Sequence, residues 1–216
     1  MKLSESKTIK ALNTLATIAL VLYSIVLLNQ LFNSGVPNSG NGIKWYEVYN
    51  VKAQPLVKVD SSVGKALGKW FHNKVFVSET KRALVSLRFQ TYTELFSYRA
   101  VIFQLSYFVY LLSFGFLIFS VKRFFKSLTR NEVFTRKNAS IIMMSSLVLM
   151  WLPIIKWLTQ ELFINCIQHL HNDSGYSFSN GESMFASETI IGLVLMAFGL
   201  AFKVGVEIKQ ENESFV

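Results

Sequence analysis

The sequence predicts an all-α membrane protein: a four-helix transmembrane bundle with a small β-containing extracytoplasmic insertion between the first and second spans. Three observations lead there. Four long apolar stretches, Ala11–Phe32, Ala100–Val121, Ala139–Leu158 and Thr189–Val206, each come near the ~20 residues that a helix needs to cross hydrocarbon. Lys and Arg are gathered between these stretches instead of along one face of a soluble domain, as the sorting of basic loops in membrane proteins requires. The connection Asn33–Arg99 is too long for a plain linker and carries the two-residue period of strands.

The first stretch follows Lys2, Lys7 and Lys10, the layout of a signal peptide. Its apolar run exceeds the usual signal-peptide core, and no small-x-small site closes it, so the segment reads as a retained signal anchor after a cytoplasmic N-terminus, 1–10. The second stretch contains VIFQLSYFVYLLSFGFLIFSV, Val101–Val121, without a single charge. In water such a helix would have to be buried on every side, which a chain of 216 residues could hardly arrange four times. Composition agrees: 51% of residues are hydrophobic and only 16% charged, with a mean hydropathy of +0.36, which favours a lipid environment over a soluble domain. The formal charge of +9 does not argue for direct nucleic-acid binding, because it is divided among the connections.

Orientation follows from the two shorter connections. The loop 122–138 holds Lys122, Arg123, Lys126, Arg130, Arg136 and Lys137 against one acid, Glu132, whereas 159–188 has no Lys or Arg and carries Glu161, Asp173, Glu182 and Glu188. The basic loop belongs in the cytoplasm and the acidic one outside, which puts both termini inside. The first connection, 33–99, holds ten basic residues against four acids and falls outside; loops longer than ~60 residues largely escape this rule.

Within that connection, Trp45–Val59 is rich in aromatic and β-branched residues, and Ala83–Tyr92 sets Val85, Leu87 and Phe89 against Ser86, Arg88 and Gln90. Both read as strands of an antiparallel sheet. Val63, Leu67, Trp70 and Phe71 between them recur at helical spacing. Trp45, Trp70 and Phe71 either fill the insertion's own core or touch the bilayer interface, which aromatic rings favour.

Candidate chemistry is sparse. Cys166, His169, His171 and Asp173 are residue types that bind transition metals, but H-x-H without a partner cluster is a weak pattern, and no metal or cofactor is expected. The lone cysteine excludes an internal disulfide. No nucleophile, phosphate-loop or dinucleotide motif occurs, so no catalytic residue is assigned. Lys156, near the outer end of the third span beside Trp151 and Trp157, reads as an interfacial anchor whose stem snorkels to headgroups, with a transport role as the alternative. Pro153 is tolerable inside a membrane helix. Gly192, Gly199, Ala197 and Ala201 form a small-residue face expected to serve helix packing.

The cytoplasmic segments carry the most specific phrases, FKSLTRNEVFTRKN at Phe125–Asn138 and LAFKVGVEIKQENESFV at Leu200–Val216. Through Glu132, Val133, Phe134 and Asn138, and then Phe202, Lys203, Gly205, Glu207, Lys209, Glu211, Asn212, Glu213 and Val216, the chain resembles the bacterial membrane protein family domain of unknown function 2975. The resemblance covers mainly the second half. It implies a four-span protein of the bacterial inner membrane, often encoded beside a small helix-turn-helix regulator, and it supplies no activity. The expected function is therefore non-enzymatic and regulatory: besides the lipid bilayer, a cytoplasmic regulator protein is the expected partner. Glu132, Phe134, Asn138 and, in the acidic tail 207–216, Glu207, Glu211, Asn212 and Glu213 are the candidate partner-binding residues. A small transporter or channel subunit is the alternative, and an oligomer is compatible with either.

The orientation is directly testable. In a Cys166→Ser background, an impermeant thiol reagent applied to intact cells should label Ser177→Cys and spare Ser127→Cys; the reverse pattern would invert the topology.

Overall fold

The computed structural model describes residues 6–32, 44–55, 81–170 and 176–214. They form, in chain order, α1 (Lys7–Phe32), β1 (Lys44–Pro55), β2 (Lys81–Phe89), the single turn α2 (Tyr92–Leu95), α3 (Tyr98–Thr129), α4 (Arg136–Leu170), β3 (Tyr176–Ser179) and α5 (Ser187–Ser214). Four helices, α1, α3, α4 and α5, are long and apolar enough to cross a membrane. Their most apolar windows are only 6%, 6%, 22% and 17% buried within the chain. Leu15, Ile25, Leu105, Leu112, Ile190 and Phe198 are among the large side chains left exposed. Such helices are stable in a solvent as apolar as their own side chains.

The helices overrun the apolar stretches that announce them. At ~1.5 Å per residue, α3 with 32 residues and α4 with 35 reach about 48 and 52 Å, well beyond the ~30 Å of hydrocarbon. The helical structure continues through Lys122–Thr129, through Thr159–Leu170 and through Glu207–Ser214. The expected loops 122–138 and 159–188 are correspondingly shorter, and Pro153 is accommodated inside α4.

The chain divides into two compact units. The first comprises residues 1–33, 107–156 and 183–216. In it Tyr23 of α1 donates its hydroxyl to the carbonyl of Leu111 in α3, and its ring meets Phe114 at 5.6 Å. Helix α5 runs antiparallel to α4, with Gly192 against Ser146 and Met150, and Gly199 against Ile142 and Met143. A Cβ on Gly192 would stand 2.9 Å from both the Ser146 carbonyl oxygen and the Met150 nitrogen, so this close backbone approach requires glycine. Gly192, Gly199 and Val206, spaced by seven, are buried, whereas Ala197 and Ala201 are exposed. The small-residue face expected from sequence is thus narrower than the four residues suggested.

The second unit comprises residues 34–106 and 157–182. Its sheet has the order β2-β1-β3. Strands β1 and β2 pair antiparallel from Lys44↔Phe89 to Ala53↔Lys81, with a bulge between Val48 and Val51. Strand β3, which the sequence reading missed, pairs antiparallel with β1 from Lys52↔Ser179 to Pro55↔Tyr176. Leu87 and Phe89 are buried on the face that the alternation of β2 foresaw. The strand stops at Phe89 because Thr91 and Glu94 form a capping box, the Thr91 hydroxyl accepting from the Glu94 N–H and the Glu94 carboxylate accepting from the Thr91 N–H. Phe103 of α3 joins the apolar core through Tyr46 at 5.1 Å and Phe163 of α4 at 5.2 Å. The proposed helical turn around Val63–Phe71 and the placement of the Trp45 side chain lie outside the described residues.

A polar clamp fixes the bulge. Asn50, at φ 66°, donates from Nδ2 to the Gly181 carbonyl at 3.1 Å and to Glu182 Oε1 at 3.0 Å. Gln160, 1% exposed, accepts from the N–H groups of Gly181 and Glu182 and donates to the Tyr49 carbonyl at 3.1 Å. A Cβ at Gly181 would overlap the Asn50 carbonyl oxygen. Replacing Gln160 by Leu takes the partner from the Gly181 N–H and the Tyr49 carbonyl, while the Glu182 N–H keeps Asn180 Oδ1 at 2.9 Å. We expect a loss of about 2–4 kcal/mol, read as faster hydrogen exchange of β1 and β2 amides that are slow in the parent protein. Uniformly fast exchange of both strands in the parent would contradict the sheet.

Candidate functional site

The phrases that carry the family resemblance meet at one end of the first unit. Helix α3 ends in a Schellman turn: the Asn131 N–H donates to the Leu128 carbonyl at 3.1 Å and the Glu132 N–H to the Ser127 carbonyl at 3.1 Å. Asn131 takes the left-handed conformation, φ 60°, that this cap demands and that asparagine tolerates better than most residues. Thr135 then caps α4, its hydroxyl accepting from the Asn138 N–H at 3.2 Å.

Asn138 closes the turn. Its Nδ2 reaches the Glu132 carbonyl at 2.6 Å, the Val133 carbonyl at 2.9 Å and Ser127 Oγ at 2.9 Å, and Ser127 in turn donates to the Glu132 carbonyl at 2.8 Å. The orientation of the amide follows from these partners, since two carbonyl oxygens face it and only the NH₂ side can donate. Asn138 is fully buried and its Oδ1 has no partner. This residue, expected to bind a partner, has no surface to offer one; it positions the turn. Ser127 is half-buried in the same network, so exposed Arg130 is the thiol-labelling position that leaves the network intact.

Phe134 links this turn to α5. Its ring stacks on Phe202 with centroids 5.0 Å apart and planes 19° apart, and Gly205 lies beneath it, where a Cβ would make ordinary contact at 3.7 Å. Val206 beside them is 1% exposed. Two phrases about 70 residues apart in sequence therefore form one structural lock, a stacked aromatic pair of the kind worth about 0.5–1.5 kcal/mol beyond its area.

The acids of the site have a different character. Glu132, Glu207, Glu211 and Asn212 are exposed. Glu207 and Glu211 are one turn apart and, at ~100° per residue, lie roughly 100° or more around α5 from buried Val206. Glu213 lies in the last turn of the helix, which contains no basic residue. Negative charge at a helix C-terminus opposes the macrodipole by roughly 0.3–1 kcal/mol per group. The macrodipole therefore does not account for acids at this end of the helix.

The other candidates separate. Cys166 is buried on α4 while His169, three residues on, is exposed, and no group of three metal-ligating side chains occurs among the described residues; His171 and Asp173 lie outside them. Lys156 is exposed between exposed Trp151 and half-buried Trp157, the setting of an interfacial anchor more than of a transport path. No family model matches the chain, and neither a curated protein nor a solved structure matches it significantly.

Replacing Asn138 by Ala removes the donor shared by Glu132, Val133 and Ser127. We expect about 1–3 kcal/mol of destabilisation, seen as a lower thermal midpoint of the detergent-solubilised protein and faster proteolysis at Arg130. An unchanged midpoint would show that the turn holds without it.

Proposed function

We propose that this chain is a non-enzymatic regulatory protein of the bacterial cytoplasmic membrane, with both termini inside, that captures a basic protein partner on the acidic end of α5. The observation that carries the reading is the placement of Glu207, Glu211 and Glu213 in the last two turns of a helix without a basic residue in its final turn, where the helix dipole disfavours them. Acids gathered at one helix end offer a negative surface to a positively charged partner, and complementary charge speeds and orients association. Phe134 stacks on Phe202 over Gly205, which fixes the root of this helix end against the turn before α4. Membership in the family named above is part of the proposal; its support is that the two phrases that carry the resemblance pack on each other. The partner it points to is a small helix-turn-helix regulator, whose DNA-binding surface is necessarily basic.

The test is in-membrane crosslinking to the tagged product of the adjacent regulator gene. The combined variant Glu207→Gln, Glu211→Gln, Glu213→Gln should lose capture by roughly ten-fold or more, in line with charge-paired interfaces. Its abundance should be unchanged or slightly raised, because the substitutions relieve the helix terminus. Unaltered capture removes the acids from the mechanism.

A further inference from the structure

On α3, the exposed apolar side chains Val109, Leu112, Phe116 and Phe119 follow one another at intervals of three and four residues. That spacing draws a single stripe along the helix, and on a spanning helix an exposed apolar stripe faces lipid. The stripe does not end with the apolar segment. Continuing the same intervals gives Arg123, Lys126 and Arg130, all exposed, with Lys122 half-buried at their side. Helix α3 runs on to Thr129, so the side chains of Arg123 and Lys126 leave the helix on the side that meets lipid one turn earlier. At ~1.5 Å per residue, Arg123 to Arg130 covers about 10 Å, on the order of the depth of one headgroup layer.

We propose that Arg123, Lys126 and Arg130, with Lys122, form a binding site for the phosphates of anionic membrane lipids. Charge complementarity and continuity with the lipid-facing stripe select that occupant. Arg matches a phosphate with paired N–H donors, and Lys adds a compact charge on a stem that lies along the acyl boundary. The Asn138-locked turn adds exposed Arg136 and Lys137 at the same end. Glu132, which is exposed, is the only acid between Lys122 and Asn138, so the segment keeps a large excess of positive charge. The proposal does not rest on the regulatory reading, and its experiment contains no protein partner.

The test uses the purified full-length protein in phosphatidylcholine vesicles doped with spin-labelled phosphatidylglycerol or spin-labelled phosphatidylcholine. The motionally restricted fraction of each label measures association. Phosphatidylglycerol should be preferred by roughly five-fold or more, since each cation near the surface contributes on the order of a five-fold factor. The preference should fall towards unity in about 0.5 M NaCl, where the Debye length shrinks to a few ångströms. It should likewise fall in Arg123→Gln/Lys126→Gln/Arg130→Gln and survive in Arg82→Gln, a change at an exposed basic residue of β2. Should the triple variant fail to fold, the pairs Arg123→Gln/Lys126→Gln and Lys126→Gln/Arg130→Gln carry the comparison. Millimolar inorganic phosphate at constant ionic strength should leave the preference intact; its abolition would reassign the site to a soluble anion and overturn the proposal. Equal association of the two lipids, a preference untouched by the α3 substitutions, or salt-sensitive dimers in place of lipid selectivity would overturn it as well.

Discussion

In hydrocarbon a backbone or side-chain polar group would have no water to turn to, and four helices of this chain are long and apolar enough to cross a membrane. The four long helices satisfy their backbones internally and leave their apolar side chains outward, which the low burial of their apolar windows makes compulsory. Polar side chains on the helices are then tied inward. Tyr23 donates to Leu111, the Ser113 hydroxyl turns back to the Val109 carbonyl at 2.8 Å, and Ser146 bonds the Met143 carbonyl at 2.6 Å. In the second unit the Ser106 and Thr159 hydroxyls pair at 2.8 Å. Each such bond contributes only about a kilocalorie net, but leaving the group unpaired costs more than making it contributes.

The same logic shapes the ends of the helices, where carbonyls and N–H groups run out of helical partners. Between α3 and α4 the answer is a Schellman turn, a threonine cap and one buried asparagine serving several acceptors. In the second unit it is one buried glutamine that serves both the bulged strand β1 and the segment after β3. Neither amide is placed for chemistry. Both convert a short polar connection into a fixed one, and a fixed connection lets the charged residues beside it keep a constant direction.

Charge is distributed against helix stability at one place. Basic residues at the C-terminal end of α3 suit its dipole, and acids in the last turns of α5 oppose theirs. Lipid phosphate on the first and a basic protein on the second would make the two surfaces independent. That division would give each a sign, a partner class and a location without asking them to neutralise one another.

The number of long apolar helices, the existence of the sheet and the buried face of β2 were legible because each rests on local periodicity: Val101–Val121 is apolar in every direction, and Val85, Leu87 and Phe89 alternate. The helix ends were not, because Lys122–Thr129 and Glu207–Ser214 are polar and yet made of residues that sustain a helix once a span has nucleated it. Two overlooked signals were present, Thr91 and Glu94 as a capping box and the seven-residue spacing of Gly192, Gly199 and Val206. Strand β3, at Tyr176–Ser179, was too short to show a period and owes its existence to the edge that β1 offers. Sequence alone marked Glu132, Phe134 and Asn138 as a group with Phe202 and Gly205. Only the tertiary structure decided that Asn138 is buried as a tie and that Phe134 stacks on α5, because burial and stacking depend on neighbours that the chain brings in from some 70 residues away.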